Sequence, residues 1–449
     1  MKLTEHSNFF AHYDNYFFMK NHMFKVLLII TLLILTIFQC NAQDIQYVRK
    51  QLDRLSSPEF YGRAYYKNGD NLAAAYLSAQ FKDHGLRSFE EDYFQHYSFK
   101  VNSLEEVSVK INDEKLKFGK DFMMSASSGS LSGSFKPLLI DAPLMKDPDR
   151  LFEAMEQAEK NIVVIIDSLG LNNPELYHFV KSLALEGKLG ISGLIEVYPK
   201  TPIGRVGREF LPVAHIQLSR EAMPPVINKV EIDVKNKYYD NYSTSNVIGY
   251  IPGQTDKFIV FTAHYDMIGS FGEGNYFPGA YDNGSGTAMV LDLARHFGTG
   301  EKPYYSIAFM LFSGEERGLM GSKNYVNNPL FPLAKIKLVI NLDMVGTGQE
   351  GVILFNGIQR PLEAAIVQSI NEKKQYMKEV ENRVGTANSD HWPFHKKEVP
   401  AIFFLTKGHS AGIHNIYDTV DMLSLYGYEN LFKLTIDLTK ELQNQEIGR

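Results

Sequence analysis

Several scarcities narrow the chemistry open to this chain. It holds one cysteine, Cys40, in 449 residues, so no internal disulfide framework can form and metal ligands beyond that point must be His, Asp or Glu. It holds one tryptophan, Trp392, and only a mild excess of acid over base. The 46 Lys and Arg against 52 Asp and Glu give a net charge of -6, which excludes a sequence-wide basic field for nucleic acid or anionic lipid. Near the N-terminus an apolar run from Val26 to Phe38, interrupted by Thr31 and Thr36, falls short of the about 20 residues a membrane span needs. Lys20 and Lys25 precede it, and Gln39-Cys40-Asn41-Ala42-Gln43 follows. A basic flank, a short apolar core and a small-residue end predict an export signal cleaved after Ala42. The mature chain is then expected to be secreted or periplasmic, free of cysteine and without stable membrane association. Lipidation of Cys40 is the rival expectation, and Gln39 is a poor neighbour for it. Residues 1–18 lie upstream of plausible starts at Met19 and Met23 and read as an overlong start.

What is present is ample apolar matter, 44% hydrophobic and 12% aromatic residues, enough for one large core and a second smaller one. Apolar residues recur at helical spacing over 44–55 and 70–81, joined through 58–69. Between about 104 and 239 the texture changes to short runs such as 107–111, 137–140, 162–166 and 194–197, with a Ser/Gly-rich stretch at 125–134. This predicts a strand-rich insert with one or two helices. It carries no cluster of acids and histidines, so it should cover or shape a site and not perform the chemistry. From 243 onward strands (246–250, 258–263, 307–312, 336–342, 352–355, 399–405) alternate with helices (285–297, 319–326, 361–370, 428–443). That alternation predicts an α/β fold, a mostly parallel or mixed sheet covered by helices on both faces. The expected division is a signal region at 1–42, an α/β domain at 43–103 and 240–449, and an insert at 104–239. No internal repeat or heptad run is present.

In such sheets ligands gather beyond the carboxyl ends of the strands, and acids and histidines sit there. His264 and Asp266 close one strand; a histidine binds metal as neutral imidazole, and a carboxylate accepting its other N–H fixes its orientation. Asp282, among glycines in Gly279-Ala-Tyr-Asp282-Asn283-Gly284-Ser285-Gly286, opens a helix, either as an N-cap or as a carboxylate bridging two metals about 3.5 to 4 Å apart. Glu315 and Glu316 follow the next strand. Either they form a solvated turn, or one binds metal while the other accepts a proton. Asp343 ends a further apolar strand. His414 has Asp418 four residues on as an orienting partner. Burying unpaired carboxylates costs several kcal/mol, roughly, so a cation should face this group.

Together and in this order, these motifs resemble the co-catalytic zinc exopeptidase family, which includes bacterial aminopeptidases, glutamate carboxypeptidases and glutaminyl cyclases. The resemblance covers 243 to the C-terminus well and 44–86 more loosely, and the insert looks like a protease-associated domain. It implies the zinc-exopeptidase fold and two Zn2+ per chain bridged by Asp282, one held by His264 and Asp343, the other by Glu316 and His414. Glu315 would be the general base, taking a proton from a zinc-bridging water and passing it to the leaving amine. Asp266 would orient His264, and Ser389, Asp390 and His391 would line the substrate pocket. Peptides are the expected substrates, with no nucleic-acid partner. The favoured activity is that of an aminopeptidase. A carboxypeptidase- or dipeptidase-like member, needing a cationic pocket for which Arg383 is the candidate, and a glutaminyl cyclase are the alternatives. Two positions depart from the family pattern. Ile413 stands where relatives often carry an oxyanion-binding Tyr, and Met267 stands where many carry a second His.

Overall fold

A computed structural model describes residues 44–447 apart from 158–160, 167–173, 201, 208 and 411. The predicted export signal, Cys40 and the cleavage point at Ala42 lie outside the described residues. Helix α1 (Ile45–Leu55) buries the stripe Val48, Leu52 and Leu55, and α2 (Gly69–Asp83) buries Ala73, Leu77 and Phe81, the helical spacing read from sequence.

The next stretch runs β1 (Phe94–Ile111), β2 (Glu114–Lys115), β3 (Phe122–Met124), β4 (Leu131–Phe135), β5 (Pro137–Ile140), α3 (Ala142–Met145), α4 (Pro148–Glu156), β6 (Ile162–Ile166), α5 (Pro174–Leu185), β7 (Gly193–Tyr198), β8 (Ala214–Ser219) and β9 (Val230–Ile251). Strand and helix then alternate through β10 (Phe258–His264), α6 (Ser285–Gly298), β11 (Ser306–Phe312), α7 (Met320–Asn327), β12 (Ile336–Leu342) and β13 (Gly351–Phe355). The chain closes with α8 (Pro361–Lys374), β14 (Val380–Arg383), α9 (His391–Lys396), β15 (Ala401–Lys407) and α10 (Tyr428–Ile447).

The larger sheet has the order β14-β13-β15-β12-β10-β11-β9-β1-β2, with β4 also on β9. Its centre, β15-β12-β10-β11, is parallel, and its flanks are joined by antiparallel pairs, so the sheet is mixed. Every residue of β10 and β11 is buried, as a parallel strand covered on both faces requires. The pleat sorts them: Ile259, Phe261, Ala263, Ile307, Phe309 and Leu311 pack with α1, α2, α6 and α10. Phe258, Val260, Ala308, Met310 and Phe312 join Tyr325 of α7 and Phe394 of α9 on the other face. The chain leaves β10 for β11 on one side and later returns to β12 on the other. That reversal opens a crevice at the carboxyl ends of these strands.

The smaller sheet, β3-β8-β7-β6-β5, carries α3, α4 and α5 among the described residues, where one or two helices were expected. β1 and β9 run unbroken through both predicted insert limits, paired antiparallel from Phe94 with Val247 to Ile111 with Val230 and shifted in register at two places. At the far end of this ribbon Val109, Ile111, Val230 and Ile232 pack with the smaller sheet, so one ribbon serves both cores.

Candidate metal centre

Five side chains converge at the crevice, delivered by strand ends and by the turns and loops beside them. His264 is the last residue of β10, Asp343 follows β12, Glu316 lies in the turn after β11, Asp282 lies three residues before α6 begins at Ser285, and His414 lies in the loop after β15. His264 Nε2 is 3.4 Å from Asp282 Oδ1 and 3.4 Å from Asp343 Oδ1. His414 Nε2 is 3.1 Å from Asp282 Oδ2 and 3.1 Å from Glu316 Oε1. The two oxygens of Asp282 therefore face two different histidine-acid sets, and these two triads are the metal-competent groups among the described residues.

These distances suit a cation better than a set of hydrogen bonds. Asp343 Oδ1 and Glu316 Oε1 are buried and accept no hydrogen bond, a costly condition for a carboxylate. Ligand atoms about 2.0–2.2 Å from a tetrahedral zinc lie roughly 3.3–3.6 Å apart, close to the spacings seen here. The donor set is nitrogen and carboxylate oxygen only, which fits zinc on geometry and also admits cobalt or manganese.

Electrostatics reinforce the need for positive charge. Burial pushes the Glu315 carboxyl well above its usual range, and Glu316, Asp390 and Asp343 add to the shift. Glu316 is raised by burial and by Asp282. Burial opposes ionisation of Asp282, but His264 and His414 hold it below the usual carboxylate range. His414 is correspondingly raised to about 10 by Asp282 and Glu316 against its burial. A divalent ion would take over the work of these two imidazoliums.

Hydrogen bonds around the centre differ in part from the expected pairings. Asp266 does not spend its carboxylate on His264: it accepts from the amides of Glu315 (3.1 Å) and Glu316 (3.3 Å), clamping the acidic turn. The acceptor nearest His264 Nδ1 is the Asp266 backbone carbonyl at 3.1 Å, with the carboxylate at 3.6 Å. Asp418 likewise does not orient His414. Its carboxylate takes the amides of Tyr281 (2.8 Å) and Asp282 (3.1 Å) and so fixes the bridging acid. Thr262, Asn341 and Ser389 form a chain that ends in a 2.6 Å hydrogen bond from Ser389 to Asp343 Oδ2.

A cavity of about 680 Å³ opens over the centre, lined by His264, Asp282, Glu315, Glu316, Asp343 and His414 from the α/β domain and by Met124 to Ser127, Ile203, Arg205, Val206, Glu209 and Gln217 from the insert. Ala387 and Asn388 line it, but Ser389, Asp390 and His391, expected to form the substrate pocket, do not. They are wholly buried because α9 packs Phe394 into the core and draws its own first turn under the sheet end. There Ser389 supports Asp343 and Asp390 accepts from Ser322. Arg383 is also off the cavity, on edge strand β14 and paired with Glu381.

Arg63 was not foreseen from the sequence. Its wholly buried guanidinium donates to the carbonyls of Leu55, Tyr265, Pro278 and Gly279 at 2.7–2.8 Å, tying the loop after His264 to the loop before Asp282. A Gly-Arg pair in a connecting turn carries no pattern that would have revealed this.

With this geometry in place, the chain compares closely with known proteins. Residues 246–439, which contain all five convergent ligands, match the family described as Peptidase family M28. This stretch is a peptidase M28 domain. Aminopeptidase YwaD of Bacillus subtilis is 26% identical over 296 residues, covering 64% of this chain and 62% of that protein. Leucine aminopeptidase 1 of Trichoderma harzianum is 26% identical over 220 residues, covering 45% of this chain and 55% of its own length. The chain thus spans less than two thirds of the length of either relative. A zinc aminopeptidase of Bacillus subtilis superposes with a TM-score of 0.63 at 18% identity, over 89% of this chain and 95% of its own. An aminopeptidase of Aneurinibacillus sp. strain AM-1 gives 0.57 at 19% identity, over 89% and 94%. Both share the fold of the M28 domain together with most of the remaining chain.

Proposed function

We propose that this protein is a metal-dependent exopeptidase, an aminopeptidase that works with two zinc ions per chain and releases residues from the N-terminus of peptides. The observation that carries this reading is the bridging placement of Asp282, one carboxylate oxygen to His264 and Asp343, the other to His414 and Glu316. Two zinc ions held there would polarise the scissile carbonyl and acidify an attacking water. Glu315 lines the same cavity, and its carboxylate forms no hydrogen bond or ion pair with a described residue. It takes the proton from the attacking water and returns it to the leaving amine. Its upward-shifted affinity for a proton suits both halves of that task once nearby positive charge brings it towards neutrality. Asp266, Asp418 and Ser389 are positioning groups: they hold the Glu315–Glu316 turn, Asp282 and Asp343 respectively.

The apolar lining from Met124, Ile203, Val206, Leu319, Met344 and Ile413 supports an uncharged N-terminal side chain in the substrate. The names of the aminopeptidase relatives support the same reading, and the signal-like N-terminus supports export of the chain. Hydrolysis of leucine p-nitroanilide and of N-acetylated peptides, measured with zinc, with chelator and with Glu315→Gln, tests it. The expected outcome is cleavage of free-amine substrates only, abolished by chelation and reduced at least about 10²-fold by the substitution. Retained activity in Glu315→Gln would remove Glu315 from the proton transfer.

A further inference from the structure

The metal centre explains the acids and histidines of the cavity but not the cation that faces them. Arg205 is the one lysine or arginine among the described lining residues. The remaining charged lining groups, apart from the two histidines, are the carboxylates of Glu209, Asp282, Glu315, Glu316 and Asp343. Arg205 is exposed and forms no hydrogen bond or ion pair with a described residue.

Its backbone is nonetheless fixed. Gly204 N donates to the carbonyl of His414 at 2.7 Å. A Cβ on Gly204 would stand 2.5 Å from the Phe277 ring, and one on Gly207 would stand 2.4 Å from the Ala126 carbonyl. The segment is therefore pressed against the loop after β10 on one side and the insert on the other. Arg205 sits one residue from a backbone bond to a candidate metal ligand.

This gives the cavity a polarity. Its floor gathers Asp282, Glu315, Glu316 and Asp343, while its insert wall carries Glu209 and, with no ion pair to that or any other described residue, the Arg205 guanidinium, the group best shaped for two-point recognition of a carboxylate. A short peptide is a zwitterion with the opposite polarity, an ammonium at one end and a carboxylate at the other, and each added residue extends it by about 3.3–3.6 Å. We propose that Arg205 binds a carboxylate on the leaving-group side of the scissile bond, so that short peptides with a free C-terminus are preferred substrates. This rests on the aminopeptidase reading above. An acidic side chain just beyond the scissile bond offers the same chemistry, and substrate choice separates the two sources.

The test compares zinc-loaded wild type, Arg205→Gln and Arg205→Lys on Leu-Ala, Leu-Ala amide, Leu-Glu amide and leucine p-nitroanilide. Arg205→Gln should lower kcat/KM on Leu-Ala about ten-fold or more, chiefly through KM. It should leave Leu-Ala amide and the p-nitroanilide within about two-fold, and Arg205→Lys should recover part of the loss, since a charge without the planar fork remains. A loss confined to Leu-Glu amide would assign the contact to an acidic side chain. Equal losses on all substrates, or none on any, would overturn the proposal while the p-nitroanilide activity keeps the aminopeptidase reading intact. Cleavage of N-acetyl-Leu-Ala that depends on Arg205, without cleavage of the amide, would keep the carboxylate contact and overturn the aminopeptidase reading. Calorimetric binding of Leu-Ala and Leu-Ala amide to zinc-loaded Glu315→Gln, with and without Arg205→Gln, reads the same preference without turnover. Equal affinity for acid and amide in that background would sink it.

Discussion

Asp70 shows how a buried acid behind the metal centre leaves a mark on stability. It is wholly buried at the start of α2 and accepts from Tyr242 (2.5 Å) and Thr244 (2.7 Å), and Thr244 in turn bonds Ser313, which begins the turn carrying Glu315 and Glu316. Burial outweighs these hydrogen bonds and raises its pKa from 3.8 to about 7. The sign follows from linkage: between those values the folded chain keeps a proton that the unfolded chain releases, so folding weakens as pH rises and the full penalty is present above about 7. Asp70→Asn removes this dependence, and the Thr244 hydroxyl can turn to suit it because its bond to Ser313 runs in either direction. Melting temperatures from pH 5 to 8 should therefore shift in favour of the variant as pH rises, by the equivalent of at most about 3 kcal/mol, since only the part of the rise between pH 5 and about 7 falls in that window. A difference that stays flat with pH would contradict the assignment. The sequence made the convergent ligands legible because most of these acids and histidines directly follow an apolar run, where an unpaired charge would otherwise be expensive. It did not make Arg63 or the true partner of Asp418 legible. Those contacts join residues more than 130 positions apart, and nothing local announces them.

At the level of elements, the strands read best from sequence are those buried on both faces. β10, β11 and β12 appear as predominantly apolar runs, found to within a residue or so of their limits. β1 and β9 were read only in fragments. From Lys235 to Asn241 no residue of β9 is buried, so that stretch offers no hydrophobic period to read, and the strand persists there through its pairing with β1. α6 illustrates the opposite case, an element whose placement depends on having no side chain. A Cβ on Gly286 would lie 2.2 Å from the Leu342 carbonyl and 2.3 Å from Asn283 Oδ1. Asn283 itself receives the amides of Gly286 (2.9 Å) and Met344 (3.2 Å) and donates to Leu342 at 3.0 Å. The first turn of α6 is thus locked to the end of β12, bringing Asp282 and Asp343 to the same histidine. Gly286→Ala should cost about 3 kcal/mol by overpacking and lower zinc content per chain together with the melting temperature. Gly300→Ala, whose Cβ would meet nothing nearer than 3.4 Å, is the control. If Gly286→Ala bound zinc and melted like the control, the close approach would have no role in placing the two acids.

For the whole molecule, the question is whether the insert and the M28 domain unfold together. The composition foresaw two cores, and two sheets exist, but the boundary between them is bridged in two ways. The ribbon of β1 and β9 pairs with β11 at one end and packs on the smaller sheet at the other. The insert's own apolar cluster, built on Phe122, Ile162, Val164, Ile195, Ile216 and Leu218, also takes in Met267, Ile268, Phe271 and Phe277 from the loop after β10. That loop starts at His264 and leads to Asp282, so the insert's core packs directly on the segment between two candidate metal ligands. Shared packing of this kind couples stability across the boundary, unlike the small polar interfaces of independently moving domains. Scanning calorimetry of the zinc-loaded protein should then give a single endotherm. Chelation should move that endotherm down as a whole, because an ion that binds the folded state at about 100 times its Kd contributes about 2.7 kcal/mol to whatever unit must unfold to release it. Two endotherms, of which chelation moves only one, would mean that the insert folds on its own and that the cavity wall bearing Arg205 is free to move relative to the metals. A single endotherm that shifts intact would mean that the wall and the metal centre are held in one geometry by one cooperative core.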